Sequence, residues 1–301
     1  MKITSSLITG FRRTLKAGNS ILIAWFCILI LVLVFAYPLR SSLRSAFGPS
    51  MITEKFAEGI NIEAFTDLGP AFKSLMSFLT AGFLFTFFAG FFLNAFLTAG
   101  LFGSVKKNDM KFSSREFFSS GAGNFFGFLL ISLIMSLIAD AVFLLVVGLP
   151  AGIASGSETI SDKTIFVMLV ITGAVYILIL PALFLVVDYA RAYKTAREDA
   201  SLFGSIGKGF SFTFSEFRKS YGMMLLLVLS QVALGIVVIL ILPGWKPVSG
   251  GGVFFLFIVS QLMFILRLFL KTWRYASVTA MMNEITSEKV TVNKIYDVIP
   301  T

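Results

Sequence analysis

The sequence predicts an all-α, polytopic membrane protein: six transmembrane helices forming three hairpins, each preceded by an amphipathic helix at the cytoplasmic interface. Three observations predict it. The 301 residues are 57% hydrophobic, with 35 Phe, and only 14% charged, whereas soluble domains carry about 25% charged residues. Six apolar runs are each long enough to cross about 30 Å of hydrocarbon at 1.5 Å per helical residue. Lys and Arg cluster on alternate sides of those runs.

The six spans are read at 20–37, 72–105, 124–149, 164–187, 221–242 and 253–278. The first is short, and the second and sixth are long enough to tilt or to project beyond the bilayer. Nineteen Lys and Arg fall at the N-terminus, in the second and fourth loops and on the C-terminal side, against six on the opposite side. The positive-inside bias therefore places both termini in the cytoplasm and the protein in the cytoplasmic (inner) membrane. The basic N-terminus followed by an apolar run is the pattern of a signal peptide. The run exceeds a usual h-region, however, and Tyr37-Pro38-Leu39-Arg40 is a poor cleavage context, so it reads as a retained first span.

A weak internal repeat accompanies the spans. Ile3, Leu7, Phe11 and Leu15 recur every four residues before the first span. Leu202, Ile206, Phe210, Phe214 and Phe217 recur similarly before the fifth, and Phe112, Phe117 and Phe118 give a poorer version before the third. Such spacing suits helices lying in the membrane interface with apolar faces down and Lys/Arg toward the headgroups. The chain then reads as one integral membrane domain over 1–301. Its units are 1–105 with an outer loop at 38–71, 106–187, and 188–301 with a short cytoplasmic tail. In the outer loop, "GPSMITEKFAEGINIEAF" suggests a short helix, while "AGIASGSETISDK" and "PGWKPVSGGG" read as connectors.

The composition excludes several chemistries. There is no histidine, which removes Ser–His hydrolysis, histidine-ligated zinc and His-dependent phosphatase chemistry. Cys27 is the single cysteine, so no disulfide forms within the chain. No P-loop motif occurs. The chain is expected to be no enzyme and to use no metal or cofactor. Its net charge of +9 follows from residues flanking the spans, so it implies anionic lipid headgroups and not nucleic acid.

Four groups of residues are candidates for function or packing. In the second span Gly82, Thr86, Gly90, Asn94 and Thr98 follow at four-residue steps and form a ridge of small and polar groups. Asn94 falls near the midplane, with Gln231 and Gln261 at comparable depths; these amides either glue helices together or line a permeation path. In the sixth span Arg267, Lys271 and Arg274 form a basic stripe that either snorkels to the interface or takes a headgroup or anionic solute, balanced by Asp188 through a pair with Lys271. In the third span Ser132, Ser136 and Asp140 form a polar stripe. Asp140, placed near the outer boundary, is expected to hydrogen-bond a neighbouring helix as a neutral acid, to be reached as an anion by snorkelling Lys73 or Lys163, to couple a proton or ion, or to face lipid.

At "DYARAYKTAREDASLFGSIGKGF", residues 188–210, an Asp-Tyr-Ala-Arg closes the fourth span. The acidic pair Glu198 and Asp199 and an amphipathic aromatic helix follow. This layout resembles uncharacterised six-span bacterial membrane proteins similar to the membrane domain found beside glycerophosphodiester phosphodiesterases. The resemblance implies the fold and the cytoplasmic-membrane location, and carries over no catalytic residue.

Two functions follow as expectations. The chain is a non-catalytic scaffold or subunit of a membrane assembly, pairing with other membrane proteins or with its own copies. Alternatively, it is a transporter or channel for a small or amphipathic solute. The topology is directly testable: with Cys27 replaced, single cysteines at positions 157 and 205 are expected to label from opposite sides of the membrane, and labelling from one side overturns it.

Overall fold

The computed structural model describes residues 3–47, 70–106, 113–156, 160–197, 199–241 and 249–296. Among the described residues there are nine helices and no strand. They are α1 (Ile3–Lys16), α2 (Gly18–Phe47), α3 (Pro70–Val105), α4 (Ser114–Gly123), α5 (Phe125–Ser155), α6 (Asp162–Ala196), α7 (Leu202–Ser215), α8 (Phe217–Ile241) and α9 (Gly250–Tyr296). Six of them, α2, α3, α5, α6, α8 and α9, are long and apolar enough to cross a membrane. The short helices α1, α4 and α7 precede α2, α5 and α8, which is the predicted order.

The helices outrun the predicted spans, and the reason lies in their prolines. The outer loop expected from residue 38 begins only after Phe47, because Pro38 sits inside α2. A proline removes one N–H and crowds the carbonyl four residues back, yet a helix in lipid has no solvent to take up freed groups and so stays helical. In α5 the helix passes position 149 through a π-turn, Leu144–Gly148, and resumes over Leu149–Ser155 with Pro150 in its first turn. The Leu149 N–H bonds the Leu144 carbonyl, five residues back; one extra residue in the turn lets the chain continue through Pro150. Pro181 likewise lies inside α6, and the Tyr221 hydroxyl donates to the Leu178 carbonyl in the turn it disturbs, at 2.7 Å. The two expected connectors thus shrink, residues 151–155 and 250–252 being helical. The short helix expected in the first outer loop, and Phe112, lie outside the described residues.

The chain forms two compact units, one comprising Met1–Leu22 with Ala95–Thr301 and the other Ile23–Asn94. In the smaller unit α2 and α3 form the first hairpin. Phe35 stacks on Phe78 at 6.0 Å between ring centres, Gly82 faces the Phe35 ring and Gly90 faces Leu31. The predicted ridge is therefore a packing surface at these two positions, while Asn94 is exposed and Thr98 is buried in the larger unit.

In the larger unit α5 pairs with α6 and α8 with α9, and α6 also packs on both α8 and α9. Each short helix docks on the end of an even-numbered span. Ser120 of α4 donates to the Ala99 carbonyl of α3 at 3.1 Å. Gly209 of α7 lies where a Cβ would sit 2.5 Å from the Val186 carbonyl oxygen and 3.1 Å from Ala190 of α6. Gly10 of α1 lies where a Cβ would meet the Ser277 backbone of α9 at 2.7 Å. Aligned on these docking sites, Thr98-Ala99-Gly100, Tyr189-Ala190-Arg191 and Tyr275-Ala276-Ser277 occupy equivalent turns. The repeat thus closes on itself: α4 and α7 sit on the spans that precede them, and α1, at the start of the chain, sits on the last.

In α7 this docking turns part of the four-residue apolar face toward neighbouring helices. Ile206 is buried, and Leu202 and Phe210 pack with it against Ile131, Met135, Val186 and Ala190. Of the large apolar side chains of α7, only Phe203 and Phe214 are strongly exposed. In α1 the buried face is small and polar, with Ser6, Gly10 and Thr14, whereas Phe11 and Leu15 are exposed. Arg13 donates to the Val105 carbonyl at 3.3 Å and so caps the end of α3; burial pushes its guanidinium below the usual arginine value. Ser205 is fully buried, which makes exposed Lys208 the better labelling position on α7.

The backbone contact at Gly209 has no flexible side chain to absorb added bulk. Gly209→Val is expected to destabilise the protein by about 1–3 kcal/mol, read as a lowered melting temperature in detergent. Gly173→Ala, in α6 with nothing within 4 Å, is expected to hold or raise it.

Candidate functional site

Asp188 sits on α6 in the second of the equivalent turns, 1% exposed. Its carboxylate lies 2.9 Å from Arg274 Nε of α9 and 3.6 Å from Arg191 Nη1 one turn along α6. Neither carboxylate oxygen receives an aligned hydrogen bond, so these contacts are ionic. Asp188 and Arg274 each precede a Tyr-Ala pair, near the ends of the fourth and sixth spans, and Leu97 precedes Thr98-Ala99 near the end of the second. The ion pair therefore joins equivalent positions of two repeats.

Aromatic rings enclose the two guanidiniums. Arg274 lies 5.3 Å from the ring centres of both Phe184 and Tyr275, and Arg191 lies 5.8 Å from that of Phe128. Tyr275 stacks on Phe102 at 4.5 Å, and Phe102 meets Phe128 edge-on at 5.5 Å. Arg191 also donates to Ser132 of α5 at 2.7 Å. One buried acid thus serves two arginines, which leaves a surplus positive charge in an apolar setting. The partner Asp188 takes on α9 is Arg274, one turn beyond the expected Lys271, whose ammonium lies 5.9 Å from the centre of the Tyr275 ring. Sequence reasoning missed Arg191 as a site residue, although its i, i+3 spacing from Asp188 was visible in Asp-Tyr-Ala-Arg.

Beside this cluster a cleft of about 510 Å³ opens between α6, α8 and α9. Gln231, Arg267 and Arg274 line it together with Phe184, Val228 and Val238. The Gln231 amide nitrogen is buried without a hydrogen-bond partner. The structure thereby brings one predicted midplane amide together with two members of the predicted basic stripe. Gln261 and Asp140 do not line this cleft, and Asn94 belongs to the other unit. Among the described residues no three His, Cys, Asp or Glu side chains gather to hold a metal. The chemistry on offer is hydrogen-bond donation and positive charge at one end of an apolar groove.

Asp140 stands elsewhere. The polar stripe of α5 divides: Ser132 turns to Arg191, while Ser136 and Asp140 are exposed. The Tyr176 hydroxyl donates to the Ala139 carbonyl at 3.4 Å. Asp140 stands at the midpoint of the 31-residue helix α5, Phe125–Ser155, which runs past the end at 149 from which its expected depth was reckoned. No hydrogen bond or ion pair holds its carboxylate among the described residues. Lys163, at the start of α6, is about 20 Å from that level by helical rise.

No family model, curated protein or solved structure matches this chain.

Removing one partner of a buried ion pair typically costs about 3–5 kcal/mol, while replacing both with apolar groups is often neutral. Asp188→Leu is expected to lower the melting temperature in detergent sharply, and Asp188→Leu with Arg274→Leu is expected to recover part of the loss, since Arg191 is left with Ser132 but without its acid. A double variant as unstable as the single one would show that the pair does not act as a unit.

Proposed function

We propose that this chain is a non-catalytic integral protein of the cytoplasmic membrane and a subunit of a larger membrane assembly. The observation that carries the reading is Asp140. A charged aspartate at the centre of a span costs about 2.5–3.5 kcal/mol on insertion scales; Asp140 is exposed at the middle of α5, with no hydrogen bond or ion pair among the described residues. Leu133, Leu137 and Leu144 on the same helix are also exposed. A transmembrane helix bearing a hydrogen-bond donor or a cation, from another protein or a second copy, removes that cost by packing on this face. The absence of histidine supports a non-catalytic role. Exposed Phe11 and Leu15 beside Arg12 and Lys16 on α1, and exposed Phe203 and Phe214 beside Lys208 on α7, support contact of these helices with the headgroups of the cytoplasmic leaflet.

A second reading, a carrier of an amphipathic solute, is favoured by the cleft beside Arg274. The midplane amides support it only through Gln231.

The assembly reading is tested by purification in mild detergent followed by mass spectrometry of what co-purifies, whether another protein or a second copy. Asp140→Asn, which keeps shape and hydrogen bonding, is expected to retain the partner. Asp140→Leu is expected to lose it while the melting temperature of the isolated chain holds or rises. A partner retained equally by Asp140→Leu, or a wild-type chain that purifies alone, would sink the reading.

A further inference from the structure

We infer that the cleft between α6, α8 and α9 is a binding site for a single anionic phospholipid: the oxyanion of its headgroup lies between Arg267 and Arg274 and its acyl chain lies along α8. The inference is independent of the assembly role, since it stands on a different set of helices from the exposed face of α5.

The polar groups of the cleft lie in order along its length. Arg274 marks one end, level with Asp188. Arg267 is two turns further along α9 and Ser260 two turns beyond that, a run of about 21 Å by helical rise. The opposite wall is Val228, Val232, Gly235 and Val238 of α8. An elongated apolar trough with its cations in one half, from Arg274 to Arg267, and none beyond matches a molecule with a charged head and a hydrocarbon tail. It does not match a compact polar solute, for which the valine wall offers no partner. The volume of about 510 Å³ falls within the ordinary range of ligand sites.

The polar lining is donor-rich. Arg274 is held at Nε by Asp188 and flanked by Phe184 and Tyr275, so it is the fixed half of a clamp. Arg267 is exposed and has no hydrogen bond or ion pair among the described residues; on its flexible stem it is the half that can reorient. The Gln231 amide nitrogen supplies a buried, unpartnered donor. The Ser260 hydroxyl is turned away to the Phe257 carbonyl. Asp188, the acid nearest the clamp, is shared between Arg274 and Arg191, so its single charge leaves the arginine cluster net positive before Arg267 is counted. Unpaired cations and a stranded donor within a span are costly, and a bound phosphate ester relieves all of them together. Guanidinium forks bind phosphate oxygens through charge-assisted hydrogen bonds.

The test presents phosphatidylglycerol and phosphatidylcholine in equal amounts to the full-length protein in mixed micelles and reads bound lipid by native mass spectrometry. Wild type is expected to retain one phosphatidylglycerol per chain in preference to phosphatidylcholine. Arg267→Gln is expected to reduce that preference about tenfold or more, the worth of a charge-assisted contact. Its melting temperature is expected to match wild type, because Arg267 supports no contact of the fold. Gln231→Leu is expected to weaken retention less. Lys163→Gln, an exposed cation at the start of α6, is expected to leave the preference unchanged and so separates the site from the general positive charge of the protein. Inorganic phosphate in excess is expected not to displace the lipid. Equal retention of the two lipids by wild type would overturn the inference. So would an unchanged preference in Arg267→Gln, an equal loss in Lys163→Gln, or displacement by inorganic phosphate, which would mark a site for a free anion. If Arg267→Gln fails to fold, the wild-type preference, Gln231→Leu and the phosphate competition decide the matter.

Discussion

The Asp188–Arg274 contact is the constraint around which the larger unit is organised. Two opposite charges at the ends of two apolar helices are tolerable only together, because either one alone would be a desolvated charge without compensation. Their meeting fixes α6 against α9 in both rotation and depth. Arg191 is then drawn onto the same carboxylate and, through Ser132, ties in α5. The rings of Phe102, Phe128 and Tyr275 follow, since cations with few anionic partners in a dry setting are favoured beside aromatic faces. The same arithmetic of one acid for two arginines makes the neighbouring cleft positive. Structural clamp and candidate binding site thus share Arg274.

The short helices complete the end of the molecule that carries the termini. Each lies across the end of an even-numbered span at a small residue, so backbones approach closely and the gain comes from van der Waals contact where apolar burial drives little association. Polar contacts secure the crossings. Trp273 donates to the Leu7 carbonyl at 3.0 Å, and Ser5 and Ser6 donate to Glu284. Because α1 docks on α9, the first and last parts of the chain lock one another, and the repeat becomes a closed set of contacts where tandem copies would have left two open ends.

Much of the fold was legible in the sequence because lipid leaves the backbone few options. Six runs of apolar residues had to be helices, and their number and order came through intact. Boundaries were harder to read. Pro38, Pro150 and Pro181 are breakers in water, but a span continues through them by local adjustment, as the π-turn before Pro150 shows. The four-residue periodicity before the fifth span located α7 correctly but not the part of its face that meets other helices, since the pattern that buries a helix in an interface is the same one that buries it against neighbouring helices. The candidate site was legible as a stripe of arginines, but Asp188 chose Arg274 over Lys271 by helix rotation, which composition does not encode.

By itself the sequence determined the class of the protein, the count of its spans, the short helix before each odd-numbered span and the exclusion of imidazole chemistry. All of these depend on which residues are present and how they repeat along one chain direction. Only the tertiary structure decided that Gln231 joins Arg267 and Arg274 in one cleft, that Ser132 parts company with Asp140, and that the first helix closes onto the last. Those outcomes depend on which helices are neighbours and how each is rotated. A span that is apolar all round has no polar face to orient it toward its neighbours. Its rotation is set by a few polar contacts between residues far apart in sequence.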